Sequence, residues 1–411
     1  MSNYNVEKIR SEFPILGRDV RGKALIYLDS AASAMKPLAV IDRINAYYRQ
    51  ETSNIHRAAH YLGEMGTIAY EKARENVARF IHAALPSEII FTRGTTESVN
   101  LVAQSFGDAF FKSGDEIILS ELEHHSNIVP WQQIAEKKGC IIKVIPINEA
   151  GELIFEKYLE LLSPRTKMVS ITWCSNVLGT IVPIEKYAEA AHRVGAKIMV
   201  DGAQGVVSLV TDVQKMNCDF LAFSGHKIFG PYGIGVLYGR AELLEAMPPY
   251  QTGGSMISEV TWEKTTWAAV PHKFEAGTPE ISGAVGLDAA LDYVSSIGLE
   301  AIAKHEHDLL GYATQELSQI PDLKIYGPSN ASPENKSAIL SFTMNGAHPS
   351  DIGALIDQQG IAVRAGHHCC QPLMRRLGIP ATVRASFSMY NTRSEVDSLK
   401  KSLIKAQEFF K

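Results

Sequence analysis

A lysine and an aspartate follow two β-rich runs of this sequence. Lys227 lies in FSGHKIFGPYGIG, where an apolar run ends in a glycine-rich turn, and Asp201 follows the apolar run KIMV. A buried lysine loses its proton readily and attacks carbonyl carbons, and a carboxylate can pair with a protonated pyridine nitrogen. For each residue taken alone, a solvated lysine at a loop entrance and an aspartate that caps a helix remain the alternatives.

A second group of residues has the chemistry of a phosphate site. Thr95 and Thr96 follow a strand and a glycine in FTRGTTESV, and backbone N–H groups at the start of a helix bind anions. Ser224 and His226 are candidates for further hydrogen bonds to the same phosphate. His124 is a candidate for stacking on an aromatic ring and exchanging protons with it. A capping box at Thr-Thr-Glu and a purely structural histidine are the alternatives.

The segment AVRAGHHCCQPLM places two histidines beside Cys369 and Cys370. Zinc sites favour spacings such as Cys-x-x-Cys, so this pattern argues against a metal. A thiol flanked by histidines, arginine and glycine suits a thiolate nucleophile on a mobile loop, although a free cysteine is more often buried as a small apolar residue. Arg364 and Arg384, near strand ends, are candidates to clamp a substrate carboxylate, with surface arginines as the alternative.

The bulk composition excludes several classes of partner. Among 411 residues, 40 are basic and 45 acidic, so a formal charge of -5 offers no attraction to nucleic acid or to an anionic membrane. We find no signal-peptide pattern and no apolar stretch of about 20 residues, which a membrane span requires. Five scattered cysteines do not indicate a disulfide framework. The sequence therefore predicts a cytoplasmic protein with reduced thiols.

The elements that must position these residues alternate between strands and helices, which predicts an α/β fold with a mainly parallel central sheet in the large domain. The predicted strands are EIIFT (88–92), DEIILS (115–120), CIIKVIPI (140–147), KMVSITW (167–173), AKIMV (196–200), DFLAFS (219–224) and GIGVLYG (233–239). Ligands of open α/β sheets bind beyond the carboxyl ends of such strands.

The chain divides into three predicted parts. Residues 1–25 form an N-terminal segment that packs with the small domain, residues 26–282 form the large domain, and residues 283–411 form a smaller C-terminal α/β domain that carries the cysteines. In that domain we expect the strands SAILSFTM, IAVRA and VRASFSMY, the helix around DIGALIDQQG and a terminal helix. Residues 246–279, rich in Pro, Gly, Thr and Trp, predict a long irregular loop, which is usually functional.

Ordered motifs over nearly the whole chain resemble the class V branch of fold-type-I pyridoxal phosphate (PLP) enzymes, and within it the SufS/CsdA group of cysteine desulfurases. The motifs are YLDSAASAMKP, NIHRAAHYLGE, RGTTESVNLVA, EHHSNIVPW, SNVLGTIVPIE, VDGAQ, FSGHKIFGPYGIGVLYG, GGSMI, FEAGTPE, RAGHHCCQPLM and RASFSMYNT. The NifS/IscS branch has a longer, serine-rich cysteine loop. The resemblance implies a PLP-dependent transferase fold of type I.

Carried over position by position, the resemblance implies a role for each candidate residue. Lys227 would bind PLP as a Schiff base, Asp201 would meet the ring nitrogen, His124 would stack on the ring and Gln204 would meet the phenolic oxygen. The phosphate would be held by Thr95, Thr96, Ser224, His226 and, from the neighbouring subunit of a homodimer, Thr278. The positions that match the substrate-facing residues are Asn176, Arg384, His56 and Arg57, with Arg364 near the thiol.

The implied reaction removes sulfur from L-cysteine, leaves L-alanine and forms a persulfide on Cys369. The persulfide would pass to a SufE-like or SufU-like acceptor for iron-sulfur cluster assembly, and selenocysteine should react in the same way. Cys370 stands where the family usually has a small residue, which leaves a minor chance that it carries the persulfide instead. Another class V activity (aminotransferase, epimerase or kynureninase-like hydrolase) and a non-enzymatic sulfur-relay scaffold are the alternatives.

Overall fold

The computed structural model describes residues 4–329 and 332–410. Its helices are α1 (Val6–Ser11), α2 (Leu38–Ala46), α3 (Tyr61–Phe80), α4 (Thr95–Phe110), α5 (Val129–Lys138), α6 (Phe155–Leu161), α7 (Ile184–Arg193), α8 (Gly205–Ser208), α9 (Val213–Met216), α10 (Ala241–Ala246), α11 (Ile281–Ile297), α12 (Leu299–Leu317), α13 (Pro349–Asp357), α14 (Gln371–Leu377) and α15 (Arg393–Phe410).

The strands follow the same chain order. They are β1 (Asp19–Val20), β2 (Lys23–Ala24), β3 (Ile26–Tyr27), β4 (Ile89–Thr92), β5 (Glu116–Ser120), β6 (Ile141–Ile145), β7 (Thr166–Thr172), β8 (Lys197–Asp201), β9 (Phe220–Ser224), β10 (Gly235–Gly239), β11 (Ile257–Val260), β12 (Thr265–Trp267), β13 (Leu323–Tyr326), β14 (Ile339–Met344), β15 (Ile361–Ala362), β16 (Arg364–Gly366) and β17 (Thr382–Ser386).

The central sheet has seven strands in the order β4-β10-β9-β8-β7-β5-β6. Strand β10 is antiparallel to both of its neighbours, β4 and β9. The other neighbouring pairs, from β9 through β8, β7 and β5 to β6, are parallel. Each strand predicted from residues 88 to 239 is present, with bounds that differ by at most two residues. The prediction of an α/β fold with a mainly parallel sheet is therefore confirmed.

Both faces of this sheet are covered, as the uniformly apolar strands predict. Along β9, Phe220 and Ala222 join one hydrophobic cluster, with α4 and α5, while Leu221 and Phe223 join the other. Because successive side chains of a strand point to opposite faces, two separate cores sandwich the sheet. The polar side chains singled out above lie where the strands end.

The C-terminal part holds a four-stranded antiparallel sheet in the order β13-β14-β17-β16, packed with α12, α13 and α15 around its own core. The predicted strand IAVRA is two strands, because β15 pairs with β3 and β16 pairs with β17. VRASFSMY is a strand only as far as Ser386. Helix α11 crosses residue 283 and packs on α2 and α3, and the division into domains stays a prediction.

The N-terminal segment contacts the C-terminal part of the chain. The Tyr4 hydroxyl donates to the Met389 carbonyl at 2.7 Å, and Arg10 pairs with Glu395 at 2.8 Å. Residues 246–279, predicted to be irregular, contain the antiparallel hairpin β11–β12, with Trp262 exposed near its turn. None of the helices in the described parts of the chain is long and apolar enough to cross a bilayer.

Candidate active site

A cavity of about 230 Å³ opens where β7, β8 and β9 end, and the loop before α14 closes one side of it. Twelve of the residues singled out from the sequence line this cavity: Thr95, Thr96, His124, Asn176, Asp201, Gln204, Ser224, His226, Lys227, Arg364, Cys369 and Arg384. The end of the parallel sheet gathers nine of them, because the carboxyl ends of its strands share one edge, while Arg364, Cys369 and Arg384 come from the C-terminal part of the chain.

Lys227 and Asp201 both line the cavity, close enough for each to shift the pKa of the other. Asp201 is the last residue of β8, and Lys227 ends the short helical turn after β9. Burial raises the pKa of the Asp201 carboxyl, which Lys227 opposes, and the Ala203 N–H donates to its Oδ1 at 3.0 Å. Burial also lowers the pKa of Lys227, against the pull of Asp201. The lysine is thus favoured as a neutral, nucleophilic amine.

The start of α4 forms an anion cradle with the end of β9. Ser224 Oγ lies 2.9 Å from the Thr95 N–H and 2.8 Å from the Thr95 hydroxyl. Gly94 caps the helix without a side-chain hydrogen bond, so the alternative of a Thr-Thr-Glu capping box does not apply. The buried Nδ1 of His226 has no partner within the described chain. A phosphate would supply acceptors to this set of donors.

His124 is held as a neutral imidazole beside Lys227. The Ser126 N–H donates to its Nδ1 at 3.1 Å, so the neutral ring carries its proton on Nε2. Burial, then the charge of Lys227, lowers the pKa of His124 to about 4. A neutral ring suits stacking on an aromatic cofactor.

Glu123, which precedes His124 and was not singled out from the sequence, is buried beside the cavity residues. Glu123 accepts from the Thr172 N–H at 3.0 Å and from Asn127 Nδ2 at 2.7 Å, and burial raises its pKa to about 8. No sequence signal separated Glu123 from the other charged residues of SELEHHS, because its burial depends on packing. On the opposite side of the cavity, Gln204 Nε2 donates to the Ala31 carbonyl at 2.6 Å.

The two adjacent cysteines have opposite environments. Cys369 is exposed and lines the cavity, whereas Cys370 is fully buried. His368 and Cys369 both adopt positive φ angles, of 52° and 55°, in the left-handed region that non-glycine residues rarely occupy. Burial raises the pKa of Cys370, and its Sγ donates to Asn176 Oδ1 at 3.2 Å. Cys370 is therefore held as a neutral thiol.

The cysteine loop is docked on both sides. The His125 N–H donates to the Cys369 carbonyl at 2.7 Å, and His125 Nε2 accepts from the Gln371 N–H at 3.0 Å. Asn176 Nδ2 donates to the His368 carbonyl at 2.9 Å. His125 was missed as a site residue, although the His-His pair at 124–125 was its one sequence signal.

The two arginines share one carboxylate. Arg364 and Arg384 are paired residues on β16 and β17, and Asp29 lies against both of them, with contacts of 3.1 and 3.0 Å. Arg384 also donates to the Asn176 carbonyl at 2.8 Å. Asp29 was not predicted, because nothing in YLDSAAS indicates that its partners lie more than 300 residues away.

Three predicted residues lie outside the cavity of this chain. Thr278 lines a second cavity of about 520 Å³. His56 contacts Glu71 at 2.9 Å, and with His272 they form the one group in the described residues whose metal-ligand atoms lie within 4.8 Å of one another. Arg57 does not line the cavity either. Thr278 is predicted to reach the phosphate of a neighbouring subunit, and His56 and Arg57 are predicted to face the substrate carboxylate; these roles stay predictions.

The family model for class V aminotransferases matches residues 26–399. The chain belongs to this family. A probable cysteine desulfurase of Halalkalibacterium halodurans is 49% identical over 99% of each chain, and a cysteine desulfurase of Dickeya dadantii is 49% identical over 97% of this chain and 96% of its own length. For a cysteine desulfurase of Synechococcus elongatus the identity is 51% over 98% of this chain, which spans 64% of that relative.

Solved structures agree with this assignment to the class V family. The cysteine desulfurase CsdA of Escherichia coli has a TM-score of 0.92 at 40% identity, covering 99% of this chain and 100% of its own. A cysteine desulfurase of Thermococcus onnurineus has a TM-score of 0.92 at 38% identity over 97% of both chains. Class V enzymes use PLP, and the lysine, the buried aspartate, the unpartnered His226 nitrogen and the anion cradle all fit that cofactor.

Proposed function

We propose that this chain is a cysteine desulfurase, which converts L-cysteine to L-alanine and keeps the sulfur as a persulfide on Cys369. The observation that carries the proposal is the position of the exposed Cys369 thiol in the wall of the cavity that holds Lys227. Relatives named cysteine desulfurases, about half identical over nearly the whole chain, support it. The reactions of an aminotransferase, an epimerase or a kynureninase-like hydrolase require no thiol at the position of Cys369.

Lys227, Asp201 and His124 are the residues proposed for proton transfer. PLP, when bound, supplies an electron sink for the electrons left at the substrate Cα. Lys227 would carry the cofactor and, once freed by the substrate amine, accept the Cα proton on Nζ; its lowered pKa leaves that amine unprotonated and available as a base. Asp201 would hold a proton at the ring nitrogen, and His124 would lie on the ring.

Cys369 is the proposed sulfur acceptor. Its thiol gives up a proton, its sulfur bonds to the sulfur of the substrate, and the C–S bond of the substrate breaks with its electron pair left on carbon. That carbon then takes a proton, so L-cysteine and one thiol yield L-alanine and one persulfide. Cys370 is a poor alternative, because it is fully buried and burial raises its pKa.

Several finer assignments belong to the same proposal. Thr278 would reach the phosphate of the neighbouring subunit in a homodimer. Asn176, Arg384, His56 and Arg57 would face the substrate carboxylate, with Arg364 near the thiol. The persulfide would pass to a SufE-like or SufU-like acceptor that serves iron-sulfur cluster assembly in the cytoplasm. L-selenocysteine, whose C–Se bond is weaker, should react by the same route.

Cys369→Ser tests the proposal, with Cys370→Ser as the matched control one residue away. We expect Cys369→Ser to lower alanine formation from L-cysteine by roughly 10²-fold or more while the visible absorbance of bound PLP is kept. The control should change the rate less than about threefold, because Ser can still donate to Asn176. Mass spectrometry after L-cysteine should find one added sulfur, about +32, on the peptide only when Cys369 is present.

Continued turnover in Cys369→Ser would contradict the desulfurase assignment and favour another class V reaction. A purified chain without visible absorbance or alanine formation would favour the sulfur-relay scaffold instead.

A further inference from the structure

Asp29 is a partly buried carboxylate to which the proposed reaction gives no role. Its side chain is 14% exposed, and those of Arg384 and Arg364 are 2% and 48% exposed. Arg364 donates from Nε and Nη2 to both Asp29 oxygens at 3.1–3.2 Å, and Arg384 donates from Nη2 to Oδ1 at 3.0 Å. One carboxylate thus accepts from two guanidinium groups.

The backbone fixes where this carboxylate lies. Leu28, the preceding residue, donates its N–H to the Ala362 carbonyl at 2.9 Å and accepts from the Ser386 N–H at 2.8 Å. The residue after β3 is therefore bonded both to β15, which lies just before Arg364 in the chain, and to the end of β17, which carries Arg384. Because Arg364 and Arg384 are also paired across β16 and β17, the three side chains are held by the strand pairing itself.

The arginines keep donors that Asp29 does not use. Both arginines line the cavity, and Asp29 does not. The Nε of Arg384 is buried and has no acceptor within residues 4–329 and 332–410. A buried N–H group without an acceptor lowers the stability of the protein, so a ligand that offers an acceptor at this position would bind more tightly. Two guanidinium charges and one carboxylate also leave a single net positive charge, which matches one carboxylate of an amino acid.

We infer that Asp29 is a positioning residue that orients Arg364 and Arg384 to receive the substrate carboxylate. The half-exposed Arg364 has Asp29 as its one hydrogen-bonding partner among the described residues, so it would otherwise sample many rotamers. The inference rests on the proposed function only in taking an amino acid as the ligand. Its consequence is that Asp29 should affect the binding of amines that carry a carboxylate and leave other amines unaffected.

The test compares two amines on the holoenzyme, read as the change in visible absorbance of the bound cofactor. L-alanine has a carboxylate and ethylamine has none. We expect Asp29→Asn to weaken L-alanine binding about tenfold and ethylamine binding less than twofold. Asp29→Glu, which keeps the charge, should recover part of the loss. Glu149→Gln is the matched control, since it removes a carboxylate partner of Arg376 that is 95% exposed and remote from the cavity.

Unchanged or tighter binding of L-alanine by Asp29→Asn would overturn the inference, because Asp29 would then only compete with the ligand. Equal losses for both amines would also overturn it, since they indicate general damage. If Asp29→Asn does not retain the cofactor, Asp29→Ser, which also removes the carboxylate, decides, and L-alanine binding equal to wild type refutes the role. None of these readouts needs sulfur chemistry, so a failure of the desulfurase assay is a separate result.

Discussion

The two reactive groups of the cavity come from regions built in opposite ways. Lys227 follows β9, a regular inner strand of the seven-stranded sheet that lies between two hydrophobic cores. Cys369 lies on a loop whose consecutive positive φ angles cost about 1–3 kcal/mol each, held by contacts from His125 and Asn176. The lysine is surrounded by protein, and the thiol faces both the cavity and the outside.

This difference follows from what each group is proposed to do. An amine that accepts a proton near neutral pH must be desolvated, and a rigid sheet edge keeps water away from it. A sulfur carrier must reach a substrate inside and an acceptor outside, which only a surface loop permits. The loop also has an inner side, because the thiol of Cys370, the residue next to Cys369, is buried against Asn176.

The largest expected effect comes from the rigid region. Lys227→Ala should lower alanine formation by roughly 10³-fold or more, because it removes both the attachment point of the cofactor and the proposed base. The visible absorbance of the purified protein should change as well. Lys400→Ala, which removes a surface ion pair with Glu316, is the control and should keep wild-type activity. If Lys227→Ala retained activity, Lys227 would not be the base, and the proposed division of roles between the rigid sheet edge and the cysteine loop would be wrong.

Thiol labelling should sharpen the comparison within the loop. We expect an alkylating reagent to modify Cys369 about 10²-fold faster than the buried Cys370, Cys174 and Cys218, since reagents reach buried thiols only after local opening. Peptide mass spectrometry over a time course measures each site, and Cys369→Ser should remove the fast phase. Equal rates for Cys369 and Cys370 would mean that the whole loop opens, with no fixed inner side.

The sequence predicted the rigid region well and the loop less well. Strands such as β8 and β9 are long apolar runs whose polar residues come at their ends, so Asp201 and Lys227 could be placed from local pattern alone. The hairpin β11–β12 was missed because its residues are largely exposed and give no apolar face.

Features that depend on pairing between strands far apart in the chain could not be predicted from the sequence. Nothing local indicates that β3 joins β15 and brings Asp29 to Arg384. Adjacent cysteines likewise look alike in a sequence, and only the left-handed backbone at His368 and Cys369 turns one thiol outward and the other inward. The identity of the nucleophile, the role of Thr278 at a neighbouring subunit and the substrate-facing roles of His56 and Arg57 stay predictions.

The smallest effect concerns the anchor of the loop. His368 is buried, with Nε2 2.8 Å from the Thr382 hydroxyl, and burial, then the charge of Arg384, lowers its pKa to about 3. Between that value and about 6.5, the ordinary pKa of histidine, the unfolded chain binds a proton that the folded chain does not. This contribution to the free energy of unfolding is therefore complete above pH 6.5 and is lost as the pH falls.

On lowering the pH from 6.5 to 5.0, wild type should lose about 2 kcal/mol of unfolding free energy relative to His368→Gln. Urea unfolding at each pH measures the difference. His367→Gln, the exposed neighbour, is the matched control and should follow wild type. If both variants behave alike, His368 titrates freely and the loop has no buried anchor. A loop without an anchor would also leave Cys370 accessible, so this result and the labelling rates must agree.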